Sequence, residues 1–176
     1  LIKCPMVLLW KVPNTVAKVV DNFLPTENLN FIQNLLMEDQ KISYYYNDSV
    51  AVTKDKQGIY FSHMVFELTS CSSLFDDICK NLIEKIPDLF TLRRIKINLY
   101  PSTENLIVYN SHFDYKVPHK GLLFSLNTCD GYTMLEDGTK IDSIENRALF
   151  FDPSKLHSST NCTNKKARFN ININYT

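Results

Sequence analysis

Leu92-Arg93-Arg94-Ile95-Lys96-Ile97-Asn98-Leu99-Tyr100 is where this sequence changes its period. Leu92, Arg94, Lys96, Asn98 and Tyr100 fall on one face of an extended chain, and Arg93, Ile95, Ile97 and Leu99 fall on the other, because successive side chains of a strand point to opposite sides. The same alternation continues in 106–112, 121–127, 131–136, 139–144, 146–151 and 166–175, each short and mostly β-branched or aromatic. Asp137-Gly138, between two of these segments, predicts a two-residue hairpin, since glycine accepts positive φ without a steric cost. Seven or so strands at this spacing predict a sandwich or jelly-roll barrel.

Upstream of residue 91 the pattern is mixed. Leu29, Ile32, Leu35 and Leu36 recur at helical spacing after Pro25-Thr26-Glu27, which predicts an amphipathic helix over 26–38. Leu74, Ile78, Leu82 and Ile83 predict a second over 73–85, ended by Pro87. Met6-Val7-Leu8-Leu9-Trp10 reads as a first strand: it is too short for a signal-peptide core and is interrupted by Lys11 and Pro13. The expectation is one domain over 1–176, mainly β with flanking helices. N-terminal support would occupy about 1–90 and a jelly-roll core about 91–176.

Composition narrows the function. The 176 residues are 44% hydrophobic and 22% charged, ordinary values for a globular chain. Lys+Arg 19 balance Asp+Glu 19, so the bulk basic charge that grips a phosphate backbone is missing. No run of 18 apolar residues predicts a membrane helix. The 5 cysteines are odd in number and irregularly spaced. With no signal segment they predict reduced thiols and a cytoplasmic location, where the sequons at Asn47, Asn161 and Asn174 carry no meaning.

Chemistry enters at His112-Phe113-Asp114. Residues two apart on a strand share a face, so imidazole and carboxylate can converge on one ion. His157 comes several strands later, enough chain to return to the mouth of a barrel. Two histidines and one carboxylate make the facial set that leaves positions open on Fe(II). Arg168 is the only arginine of the last strand, suited to gripping a carboxylate through two parallel hydrogen bonds. Asn170, Asn172 and Asn174 share its face, opposite Phe169, Ile171, Ile173 and Tyr175. That face is either solvent or a polar interior, and buried asparagines would have to bond a ligand, water or each other.

The order H-x-D, distal His, then Arg resembles the Fe(II)/2-oxoglutarate-dependent dioxygenases, particularly their prolyl 4-hydroxylase-like branch. Asn98-Leu99-Tyr100-Pro101 resembles the tyrosine-bearing strand before H-x-D, and Phe124-Ser125-Leu126-Asn127 the strand ending YLN. Gly131-Tyr132-Thr133 is similar to the family's glycine turn, and Arg147-Ala148-Leu149-Phe150-Phe151-Asp152 to the strand before the distal histidine. The likeness covers about 90–176 well, and Val20-Asp21-Asn22-Phe23-Leu24 more loosely. It implies a double-stranded β-helix with N-terminal helices. It further implies Fe(II) held by His112, Asp114 and His157, with 2-oxoglutarate bound by Arg168 and Tyr100 and assisted by Asn98. From the alternation of the last strand, Asn170 or Asn172 would stand behind them. The implied reaction consumes dioxygen and converts 2-oxoglutarate to succinate and CO2 while hydroxylating an unactivated C–H bond. The distal basic residue is Arg, not the Lys common in collagen-type enzymes, so a collagen-like substrate does not follow. A protein side chain, an amino acid or a small metabolite is favoured over nucleic acid as substrate. Neither its identity nor the oligomeric state is legible.

Several residues carry two readings. His119 is a loop histidine in the plainer one and a substitute ligand or lid residue in the other; His63 reads as structural. Arg93, Arg94 and Lys96 either keep a strand soluble or guide an acidic substrate. Tyr44-Tyr45-Tyr46 cannot share one strand face, so at least one is exposed or meets a ligand. Two rival functions are a cupin-like module that binds metal without turnover, and a non-catalytic jelly roll in which H-x-D is accidental.

Overall fold

The computed structural model describes residues 17–39, 42–49 and 58–176; the strand expected at 6–10 lies outside them. Both expected helices form. α1 spans Thr26–Gln33 and widens into a π turn over Asn34–Glu38, while α2 spans Phe75–Asn81 and is succeeded by a 3-10 turn at Ile83–Lys85. The strands are β1 (Lys18–Val20), β2 (Tyr45–Asn47), β3 (Tyr60–Glu67), β4 (Thr69–Ser70), β5 (Leu92–Pro101), β6 (Lys120–Ser125), β7 (Tyr132–Leu135), β8 (Lys140–Asp142), β9 (Arg147–Phe151), β10 (His157–Ser159) and β11 (Ala167–Tyr175).

They build two antiparallel sheets. The larger runs β1-β9-β6-β11-β5-β3-β2, with β4 paired to β3, and the smaller runs β10-β7-β8. The N-terminal part therefore supplies strands to the large sheet as well as helices. Ile95 and Ile97 of β5, Ile171 and Ile173 of β11, and Leu122 and Phe124 of β6 turn one face of this sheet toward Leu29, Ile32, Leu36, Ile78 and Leu82 of the helical layer. All of these but Leu29 are fully buried. Each such side chain is worth roughly 1.5–3 kcal/mol relative to exposure, and this layer is the main apolar core.

The other face of the same strands looks toward the small sheet and is polar. β11 pairs with β5 so that Arg168 meets Tyr100, Asn170 meets Asn98, Asn172 meets Lys96 and Asn174 meets Arg94. Asn170 and Asn174 are at most 1% exposed, so the asparagine face is an interior and the solvent reading of it is overturned.

The segment 106–112, expected as a strand, is not a continuous one. Val108 bridges Thr160 and His112 bridges His157, with no ladder between. The two pairings differ by one residue in register, so the 108–112 side carries one residue more than its partner between them and no ladder runs through. A hairpin turn does join β7 to β8 at Asp137-Gly138, but its loop has one residue more than the expected two. Leu135 N–H donates to Thr139 O at 2.9 Å and Gly138 takes φ 83°, so the loop is the three-residue type with glycine in the left-handed position. Among the described residues no helix is long and apolar enough to cross a membrane.

Candidate metal and anion site

His112 and His157 are brought together by their own backbones. Each N–H donates to the other's carbonyl at 2.9 Å, and directly opposed residues of an antiparallel pair project to the same side. Their ring centroids are 4.5 Å apart. His157 Nδ1 lies 3.0 Å from Lys155 O and His112 Nδ1 3.4 Å from Asn110 O. Both carbonyls are acceptors, which puts the proton on Nδ1 and leaves the Nε2 lone pair for a ligand bond. Asp114 is anchored by its N–H donating to Pro153 O at 2.9 Å, while the intervening Phe113 points outward. One donor atom from each of His112, Asp114 and His157 lies within 4.8 Å of the others, a spacing one ion can span.

The electrostatics suit a cation. Burial, and then the neighbouring His157, lower His112 to about 4, so its ring is neutral near pH 7 as a ligand must be. Burial alone would raise the Asp114 carboxyl, but Arg94, with His157 and Lys96 behind it, outweighs this and holds it well below the ordinary carboxylate range. Arg94 Nη2 stands 2.8 Å from Asp114 Oδ1. Asn172 and Asn174 donate to Oδ2 at 3.1 and 3.0 Å. Behind them, His119 Nε2 meets Asn174 Oδ1 at 2.5 Å, and the His119 ring is 2% exposed.

Arg168 lies further down the same face, 1% exposed. Nη1 donates to Tyr132 O, Ser159 Oγ and Thr160 O, and Nη2 donates to Thr133 Oγ1, all at 2.9 Å. Among the described residues Nε has no partner, and one Nη2 hydrogen is also left over from the five N–H donors of a guanidinium. Nε and Nη2 form the fork that accepts a carboxylate side-on. Every acceptor already engaged is neutral, and burial lowers Arg168 from its ordinary value. The Tyr100 ring is 5.8 Å from its guanidinium carbon, and Tyr100 itself stacks on Tyr60 at 5.5 Å. Asn98 Nδ2 donates to Asn170 Oδ1 at 2.9 Å, which leaves Asn98 Oδ1 and Asn170 Nδ2 buried without partners. Unpaired buried polar atoms lining one interior are costly unless a ligand meets them.

Gly131 makes room for Arg168. A Cβ there would overlap Asn161 O and stand 2.8 Å from Arg168 Cδ. Gly131→Ala is therefore expected to destabilise the protein by roughly 1–3 kcal/mol, the usual cost of overpacking, read as a lower denaturation midpoint in urea. Its effect on anion binding should exceed that of Gly138→Ala, because nothing lies within 4 Å of a Cβ at the Gly138 turn.

The structure brings together His112, Asp114 and His157, with Asn172 bonded to Asp114, and places Arg168, Tyr100, Asn98 and Asn170 on the same interior face. Three contributors were missed. Arg94, read from the sequence as a solubilising or substrate-guiding residue, and Asn174, placed only on a face, both touch Asp114, although the alternation at 92–100 and 168–174 already puts them beside Tyr100 and Arg168. His119 is a loop histidine, as the plainer reading has it, but a buried one; its role depends on a contact with Asn174, 55 residues away, that no local pattern signals. His63 is structural as expected, with Nδ1 2.8 Å from Ser43 O and Nε2 2.7 Å from Ser72 Oγ. Tyr45 and Tyr46 are exposed, while Tyr44 donates to Leu36 O at 2.8 Å.

No protein-family model and no curated protein sequence matches the chain. Solved structures do match. A prolyl hydroxylase from Trichoplax adhaerens, in complex with a hypoxia-inducible-factor peptide fragment, aligns at TM-score 0.64 and 17% identity, over 90% of this chain and 82% of its own. The viral collagen prolyl hydroxylase of Paramecium bursaria Chlorella virus-1, in its 2-oxoglutarate complex, aligns at TM-score 0.60 and 15% identity, over 91% and 95%. HygX from Streptomyces hygroscopicus, with nickel and 2-oxoglutarate bound, aligns at TM-score 0.62 and 10% identity, over 92% and 83%. The fold is that of the 2-oxoglutarate-dependent Fe(II) oxygenases. Within that class, the prolyl hydroxylases are among the proteins whose fold this chain shares.

Proposed function

We propose that the protein is an Fe(II)- and 2-oxoglutarate-dependent oxygenase acting as a hydroxylase. The observation that carries this reading is the pairing of two features on one interior face. A two-histidine, one-carboxylate cluster shares that face with a buried guanidinium that, among the described residues, has no acidic partner, an unpaired Nε and one Nη2 hydrogen to spare. His112, Asp114 and His157 would hold the metal, and Arg168, beside Tyr100, would hold the distal carboxylate of the cosubstrate. Bound iron with 2-oxoglutarate and dioxygen supplies the oxidation, giving succinate, CO2 and a hydroxylated C–H bond. The chain's part is positional. The Nδ1–carbonyl contacts fix both imidazoles. Arg94, Asn172 and Asn174 keep Asp114 anionic and oriented, and the tyrosine cluster Tyr60-Tyr100-Tyr109 keeps water from the Arg168 end.

The solved neighbours support the same reading, since they include complexes with 2-oxoglutarate, with nickel, with a peptide fragment and with hygromycin B. A peptide side chain or a small molecule is accordingly the proposed substrate class. The test is spectroscopic. Anaerobic protein with Fe(II) and 2-oxoglutarate should develop the weak visible charge-transfer band of a chelated keto acid, and admitting air should release succinate. A flat spectrum at saturating cosubstrate overturns the proposal, and tight metal binding without succinate would leave a metal-binding module in its place.

A further inference from the structure

We propose that Lys96 and Arg94 form a second anion site beside the His112, Asp114 and His157 cluster, and that the substrate carries a carboxylate held there. This rests on the oxygenase reading and adds a substrate class to it. The placement comes from register. Lys96 and Arg94 lie opposite Asn172 and Asn174 across β5 and β11, and those two asparagines donate to Asp114 Oδ2. Directly opposed residues have Cβ atoms roughly 5 Å apart, so both cations flank the cluster. Lys96 is four residues from Tyr100 along β5, about 13 Å at the rise of a strand. A five-carbon dicarboxylate anchored at Arg168 is too short to serve both ends as well as the metal.

Neither cation is fully used. Arg94 is 9% exposed, its Nη2 faces Asp114 Oδ1 at 2.8 Å, and its Nε has no hydrogen-bond partner. The Lys96 ammonium sits 5.5 Å from the Tyr60 ring and, among the described residues, pairs with no carboxylate. Glu67, the other acid that bears on it, is exposed and accepts from the Tyr115 hydroxyl at 3.2 Å. Burial, and then the Arg94 charge, lower Lys96 to about 8, which leaves it a cation at neutral pH. The charge balance of a loaded site points the same way. In the loaded site Asp114 would face Arg94 and the distal carboxylate of the cosubstrate would face Arg168, so the half-buried Lys96 ammonium alone is left without an anion among the described residues. An acid group on the substrate supplies one.

The experiment titrates protein loaded with Mn(II) and 2-oxoglutarate with matched acid and amide probes by calorimetry. The pairs are N-acetylaspartate with N-acetylasparagine, N-acetylglutamate with N-acetylglutamine, and the same residues inside capped tripeptides. At least one acid should bind tenfold or more tightly than its amide, and the free and tripeptide forms separate a small-molecule acid from a side chain. Lys96→Met, which keeps length and removes charge, should erase the preference, and Lys96→Arg should keep it. A panel in which no acid exceeds its amide overturns the proposal, whether or not the variants fold. So does a Lys96→Met protein that loses 2-oxoglutarate affinity as strongly as acid affinity, since Lys96 would then serve the cosubstrate. The Fe(II)–2-oxoglutarate band keeps the two readings apart: a normal band without acid preference defeats only this proposal, whereas a missing band defeats the oxygenase reading itself.

Discussion

His157→Ala is expected to abolish succinate formation, including slow turnover without a prime substrate, and to remove stoichiometric metal. The loss should go well beyond the roughly 10–100-fold caused by removal of an outer-sphere partner of a metal site. Among the described residues no fourth His, Cys, Asp or Glu joins His112, Asp114 and His157 within ligand distance, so the variant has two ligands and no replacement. The fold should survive, because both bonds that tie 157 to 112 are made by the main chain and alanine retains them. The imidazole's packing on an apolar ring is limited, among the described residues, to Phe151 at 5.1 Å between centroids. His119→Ala supplies the contrast. His119 reaches the site through Asn174, so its removal should weaken metal binding by about tenfold, at the lower end of outer-sphere effects, without emptying the site. Metal titration by calorimetry and succinate release read both. Retained turnover in His157→Ala would assign the distal ligand elsewhere.

The contrast between these two histidines shows what the sequence can and cannot convey. The distal histidine and the last-strand arginine were legible from their order after H-x-D and the family resemblance that order carries, and the faces of the strands were legible because strand alternation is local: two residues apart on an extended chain means one face. The same rule put Arg94, Lys96, Asn98 and Tyr100 together, and Arg168, Asn170, Asn172 and Asn174 together. It could not say that these two faces oppose each other, because that depends on β11 lying between β5 and β6, a long-range pairing. Arg93 and Arg94 illustrate the cost of that gap. Adjacent and chemically identical, they have opposite fates: Arg94 is buried against Asp114, while Arg93 lies outside over the Tyr115 ring at 3.9 Å. The extra residue before His112 was invisible for a related reason. It is defined only against its partner, and Thr160 and His157 lie far along the chain. Position 131 was legible as a glycine turn, but its purpose, clearance for Arg168, depends on the tertiary structure.

Arg168→Lys is expected to raise the dissociation constant for 2-oxoglutarate by roughly 10- to 150-fold, the range corresponding to the 1.5–3 kcal/mol of a hydrogen bond to a charged group, while metal stoichiometry stays intact. Charge is nearly conserved in this change, so geometry is what it tests. The planar fork of Nε and Nη2 is replaced by a compact ammonium with three donors. Those donors are claimed first by the neutral acceptors that hold Arg168 now: the carbonyls of Tyr132 and Thr160 and the hydroxyls of Ser159 and Thr133. The larger change, Arg168→Leu, would strand those carbonyls at about 1–3 kcal/mol for each buried group left unsatisfied and would mix a folding defect with the binding defect. The lysine variant avoids most of that. Cosubstrate affinity is read from the charge-transfer band under anaerobic titration, and metal from calorimetry in the absence of 2-oxoglutarate. If metal is lost while the band's half-saturation is unchanged, Arg168 serves as a strut between the two sheets. If Arg168→Lys is silent and Lys96→Met instead weakens 2-oxoglutarate, the dianion lies the other way round, with its distal carboxylate on Lys96. The two cations on one face of β5 and β11 thus make the orientation of the cosubstrate a measurable choice, and the free fork on Arg168, against a single point charge on Lys96, is the physical reason to expect the first.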